Sequence, residues 1–220
     1  MTEAISQELP ETTRLALTFA RRRDRTLFAS LFALDARLAR IVSATREILL
    51  GQMRLAWWRD RMREPAQQWP VGDVVLDSIA QAWDGKSQDL VQLIDGWETM
   101  LVDENTQGTA DSGLGEGRAR AMEALAHRAE SCSKPEEITL AATRWSLVDL
   151  AQNSSTPPLA AAALAKARTL PDRAASLDRA MRPLAVLDGL ARRALERDLP
   201  VMLGDRMSPL VALRLGIFGA

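Results

Sequence analysis

The chain has 220 residues, of which 47% are hydrophobic and 26% charged, ordinary globular values that exclude a disordered chain and a membrane-spanning one. A formal net charge of -1 supplies no field for nucleic acid, and one cysteine (Cys132) with one histidine (His127) can form neither an internal disulfide nor a Cys/His metal cage. This length can bury roughly 70% of the unfolded surface, so residues 1–220 are read as a single domain of a reducing, cytoplasmic compartment.

The opening MTEAISQELPETTRLAL has no uninterrupted apolar core, so a secretory leader is not expected. No apolar run approaches the ~20 residues of a membrane span. Residues 11–20 read as a short helix, followed by a basic cluster. There Arg21, Arg22 and Arg25 are phosphate-binding candidates, because a planar guanidinium offers paired donors to oxygen. A solvated helix end is the plainer reading of such a run.

Leu27, Leu31, Leu34, Leu38 and Ile41/Val42 then recur at steps of three and four, one buried stripe of a long helix. After a turn around 46–51, Leu50, Met53 and Trp57 form one stripe and Leu55, Trp58 and Met62 another, which predicts a helix wedged between neighbours. Asp35 and Arg54 fall on apolar positions of these two helices. A buried charge alone costs several kcal/mol, so they are expected to pair with each other or to meet a polar ligand. If they do not pair, a carboxylate such as Asp149 or Asp188 would serve Arg54.

A turn over 65–72 precedes helices over 73–83 and 88–102. Residues 103–117, rich in glycine, read as a flexible loop. They are not a phosphate cradle, because no lysine and hydroxyl follow the last glycine. Helices are expected over 118–130 and from Pro135 to about Gln152, where proline and two acids open the first turn. A short one starts at Pro157-Pro158, and a long one runs over 172–197. SPLVALRLGIFGA, residues 208–220, is read as a last helix closing the core. With no strand pattern, the fold class is all-α, about nine helices and no sheet.

Few side chains have the spacing of a reactive site. His127 sits on an ordinary polar helix. Asp73 and Asp77 alone have the D-x-x-x-D spacing of a Mg²⁺ platform, and Asp73 reads better as a helix N-cap.

Residues 25–60, RTLFASLFALDARLARIVSATREILLGQMRLAWWRD, resemble the squalene/phytoene synthase family, in a branch where this region ends close to IRLQWWRD. LDRAMRPLAVLDGLARR (177–193) is similar to the family's late helix, and SPLVALRLGIFG to the ending of some bacterial members. The resemblance implies a helical bundle of the isoprenoid synthase type around a central cavity, with Asp35, Arg37, Arg54, Trp57 and Trp58 at its mouth.

Enzymes of that family join prenyl diphosphates through Mg²⁺ held by two aspartate-rich motifs. Here Ala39 and Ser43 stand at the aspartates of the first motif, and Asn153 and Pro157 at those of the second. The resemblance therefore implies no catalytic residues, no metal and no cofactor. It points to a binding or assembly factor, like family-related proteins that assist assembly of respiratory complex I, working in the cytoplasm or peripherally at the inner membrane. The partner would be a protein or a prenyl or other lipid ligand, not nucleic acid. Two alternatives are kept: a head-to-head prenyl diphosphate transferase, which would need Mg²⁺, and an isoprenoid or lipid carrier.

Overall fold

Leu27, Leu31, Leu34 and Leu38 are all buried along α2 (Arg25–Ala44), as their spacing requires. A computed structural model describes residues 5, 7–101, 110–203, 212–214 and 216. Regular structure among these residues is all helical, without a strand. Around α2 lie α1 (Glu11–Leu17), α3 (Ile48–Arg63), α4 (Val74–Trp83), α5 (Val91–Glu98) and α6 (Ala110–Arg128). The chain continues through α7 (Pro135–Asn153), α8 (Pro157–Ala167) and α9 (Arg182–Glu196). Helix α7 packs against α6, α8 and α9, and its buried residues include Ile138, Leu140, Ala141, Trp145, Leu147 and Val148. Such a nearly all-round apolar surface belongs to an interior helix.

Local signals set most helix starts. Asp73 is the N-cap of α4, accepting from the Val75 and Leu76 amides at 2.9 and 3.2 Å, and Asp77 is exposed. Prolines occupy the first turns of α7, α8 and α9, where a missing amide hydrogen leaves no carbonyl unserved.

Three expectations are corrected. First, the helix expected over 172–197 begins only at Arg182. The backbone before it is satisfied from α7 instead: Arg144 donates to the carbonyls of Pro171 (2.6 Å) and Arg173 (3.1 Å), and Glu137 accepts the Ser176 amide at 2.7 Å. Asp178 then caps a 3-10 turn at Arg179–Met181. Side chains of a neighbouring helix have replaced the i to i−4 ladder.

Second, residues 110–117 of the expected loop are helical; residues 102–109 lie outside the described residues. Gly113 and Gly117 are packing contacts. A Cβ on Gly117 would meet the Gln92 carbonyl oxygen at 2.5 Å and Gly96 Cα at 2.9 Å, so α5 and α6 touch backbone to backbone. The closing helix expected over 208–220 falls largely outside the described residues as well.

Third, α3 is covered on one side only. Gly51, Leu55, Trp58 and Met62 are buried, whereas Leu50, Met53 and Trp57 are exposed.

Glu137 also ties α7 to this irregular stretch, accepting two hydrogen bonds from Arg173 (2.7 and 2.6 Å). Those bonds, then the Ser176 amide, hold its carboxyl down at about 2. A carboxyl depressed in the folded state stabilises above its ordinary value of 4.5 and loses that contribution as pH falls towards 2. Glu137→Gln should therefore lower the urea midpoint at pH 7 and flatten its decline between pH 5 and 3. Equal acid sensitivity in the variant would remove Glu137 from this role.

Candidate functional site

The inward face of α2 carries Asp35 among leucines, and the bundle meets that charge with an arginine from α6. Arg118 lies four residues after Leu114 and four before Met122, both buried, so its own helix points it inward. Its Nε donates to Asp35 Oδ1 at 3.0 Å and one terminal nitrogen to Oδ2 at 2.8 Å, a bidentate fork. The same nitrogen reaches Asp149 of α7 at 2.9 Å, and the other lies 3.5 Å from Ser146 Oγ.

Indoles close the site from two sides. Trp97 of α5 donates its Nε1 hydrogen to Asp35 Oδ1 at 2.7 Å, with its ring 5.3 Å from the guanidinium carbon. Trp145 of α7 lies 4.5 Å from that carbon, and its ring meets Phe32 edge-on. The guanidinium is thus sandwiched between aromatic faces while its edge is spent on carboxylates.

One cation serves two carboxylates here. Burial opposes the Arg118 charge, but Asp35 and then Asp149 outweigh it, raising its proton affinity further. Asp149 moves up: burial favours its neutral form, and the Asp35 charge adds to burial against the pull of Arg118. A partial exposure of 17% moderates that rise. The assembly links α2, α5, α6 and α7, and the guanidinium edge that faces Asp35 and Asp149 is filled, so that edge offers no open anion seat.

A second buried ion pair holds the other side of α7. Arg144 bonds Asp188 of α9, whose second oxygen accepts the Ala175 amide at 3.2 Å. Burial pushes the Asp188 carboxyl up against the pull of Arg144.

The residues expected at one cavity mouth are therefore distributed over three environments. Asp35 is interior. Arg37 is half-buried at the flank, 3.0 Å from Asp73 and 3.5 Å from Glu8, with its guanidinium over the Trp58 ring. Arg54 and Trp57 are exposed on α3, so the inward Arg54 and its pairing with Asp35 are overturned. The reason is Gly51: a Cβ there would meet Leu101 at 2.7 Å and Thr45 at 2.9 Å. This close approach makes 51, 55, 58 and 62 the buried stripe and turns Leu50 and Arg54 outward.

Among the phosphate-binding candidates, Arg21 bonds Asp24 and donates to the Ala129 carbonyl at 2.5 Å. It fastens the turn after α1 to the end of α6. Arg22 and Arg25 are exposed.

Arg118, Trp97 and Trp145 were not found as site residues from sequence. The signal for Arg118 was the one that found Asp35, a charge at apolar helical spacing, but reading 103–117 as a loop hid the preceding turn of its helix.

Comparison with family models, curated proteins and solved structures finds no match to the chain.

Proposed function

We propose that the chain is a squalene/phytoene synthase-like helical protein that no longer transfers prenyl groups and acts as a binding or assembly factor at a membrane surface. The supporting observation is the Arg118 bridge. Asp35 and Asp149 each lie one helical turn before Ala39 and Asn153, the first positions at which the resemblance would require metal-holding aspartates. The carboxylates present on α2 and α7 are thus one turn away and already joined by a guanidinium.

Mg²⁺ does not fit this donor set. A hard dication needs several free carboxylate oxygens or waters in an octahedron, whereas these oxygens face a fixed positive charge. Without metal at the leaving diphosphate, the main stabilisation of its developing charge is missing. Binding to a protein partner remains compatible with such a filled interior.

The test is incubation with farnesyl or geranylgeranyl diphosphate and Mg²⁺. No pyrophosphate should be released above the uncatalysed rate, and millimolar Mg²⁺ should leave Tm unmoved if the bridged carboxylates give it no seat. Enzyme-like pyrophosphate release would overturn the reading.

A further inference from the structure

The first turn of α3 carries an apolar surface that the bundle does not use. Ile48, Leu49 and Leu50 are 40%, 68% and 46% exposed. Three successive helical positions cover about 200° of the helix circumference, so apolar side chains take more than half of the tip, away from the side where Gly51 meets Leu101. Met53 (62%) and Trp57 (40%) continue the exposed surface along the outer face.

We propose that this helical tip docks on the surface of an anionic lipid bilayer. The shape decides the occupant. A groove on a partner protein covers one stripe of a helix, leaving the opposite residues of an apolar tip in water. A bilayer surrounds a tip inserted into it, covering Ile48, Leu49 and Leu50 together. Trp57 lies seven residues beyond Leu50, about 10 Å along the helix, at the level where an indole rests among headgroups.

Arg46 and Arg54 are exposed beside the apolar residues. Long arginine stems let such charges reach lipid phosphate while the apolar residues sink. Glu47, also exposed at the turn, and Asp60 farther along α3 limit insertion to the interfacial zone. No helix among the described residues is long and apolar enough to cross a membrane, which agrees with an interfacial mode.

The proposal deepens the membrane placement given above but rests on different residues. Pyrophosphate release and vesicle binding are separate readouts, so either idea can fail alone.

The experiment is flotation of the full chain with phosphatidylcholine vesicles, with and without about 30% phosphatidylglycerol. The anionic vesicles should carry the chain, and salt should weaken binding by screening the arginines. Leu49→Ser/Leu50→Ser should reduce partitioning by about tenfold or more, and Arg46→Gln/Arg54→Gln should remove the preference for anionic lipid. Both variants change exposed side chains only, so circular dichroism should be unchanged.

Tryptophan emission gives a second readout. The other five of the six indoles are buried, so a blue shift on vesicle addition should vanish in Trp57→Phe. Absence of flotation, or unchanged flotation of the serine pair, would overturn the proposal. So would lipid-free dimerisation that the serine pair abolishes, which would assign the face to a second copy.

Discussion

Arg118→Met is expected to lower the free energy of unfolding by about 3 to 5 kcal/mol, the range for removing one member of a buried charge cluster. The loss comes from what remains: Asp35 and Asp149 would face each other without a cation, and two indoles would lose the ion between them. Adding Asp35→Asn and Asp149→Asn should recover about half of it, because amides of the same shape carry no uncompensated charge.

The single variant also has a pH signature. Without Arg118, Asp149, already pushed up by burial and by the Asp35 charge, binds its proton more tightly folded than unfolded, so stability relative to the parent should improve as pH falls from 7 to 5. Urea unfolding of the parent, single and triple variants at both pH values reads all three effects. A single-variant loss below about 1 kcal/mol would mean that the cluster is solvated.

Gly117→Ala should destabilise by about 2 kcal/mol, although alanine is the better helix former. Its methyl group would lie 2.5 Å from the Gln92 carbonyl oxygen and 2.9 Å from Gly96 Cα, and backbone cannot swing aside as a side chain can. Two residues earlier the sign reverses. A Cβ on Gly115 meets only Thr143 Cγ2, at 3.7 Å, an ordinary contact. Gly115→Ala should therefore be neutral or stabilising by up to about 1 kcal/mol. Thermal unfolding of the two variants side by side checks the contrast, and equal shifts would remove the argument that α5 and α6 depend on this approach.

The same glycines explain what could be read from the sequence. A periodic apolar stripe such as Leu27 to Leu38 announces both its helix and its buried face. Gly113, Gly115 and Gly117 announce neither, because glycine favours a turn until a second glycine, here Gly96, lets two backbones meet. Likewise, Leu50 and Trp58 bracketed Arg54 on apparently inward positions, and only the contact of Gly51 with Leu101 fixed the rotation of α3.

Asp35 could be recognised as a buried charge in need of a cation. The identity of that cation could not, because helical periodicity orients each residue about its own axis and carries no information about which distant helix lies opposite. The stretch before α9 shows a third limit. Residues 171–178 have helical composition, yet hydrogen-bond partners on α7 pull their backbone out of the ladder.

The Arg118 cluster also bears on the order in which the bundle assembles. Asp35 is 83 residues from Arg118 in the chain and 62 from Trp97, so neither of these two contacts forms within a local hairpin, unlike the Arg118–Asp149 bridge between the consecutive helices α6 and α7. Both contacts become available only after α2 has docked on α5 and α6, when most of the entropy of closing the intervening chain has been lost. A contact made that late lies on the native side of the folding barrier. It acts as a latch on a completed bundle, setting how slowly the chain comes apart rather than how quickly it collapses. In Asp35→Asn the lost stability should accordingly appear in the unfolding limb of the chevron, with the refolding limb nearly unmoved.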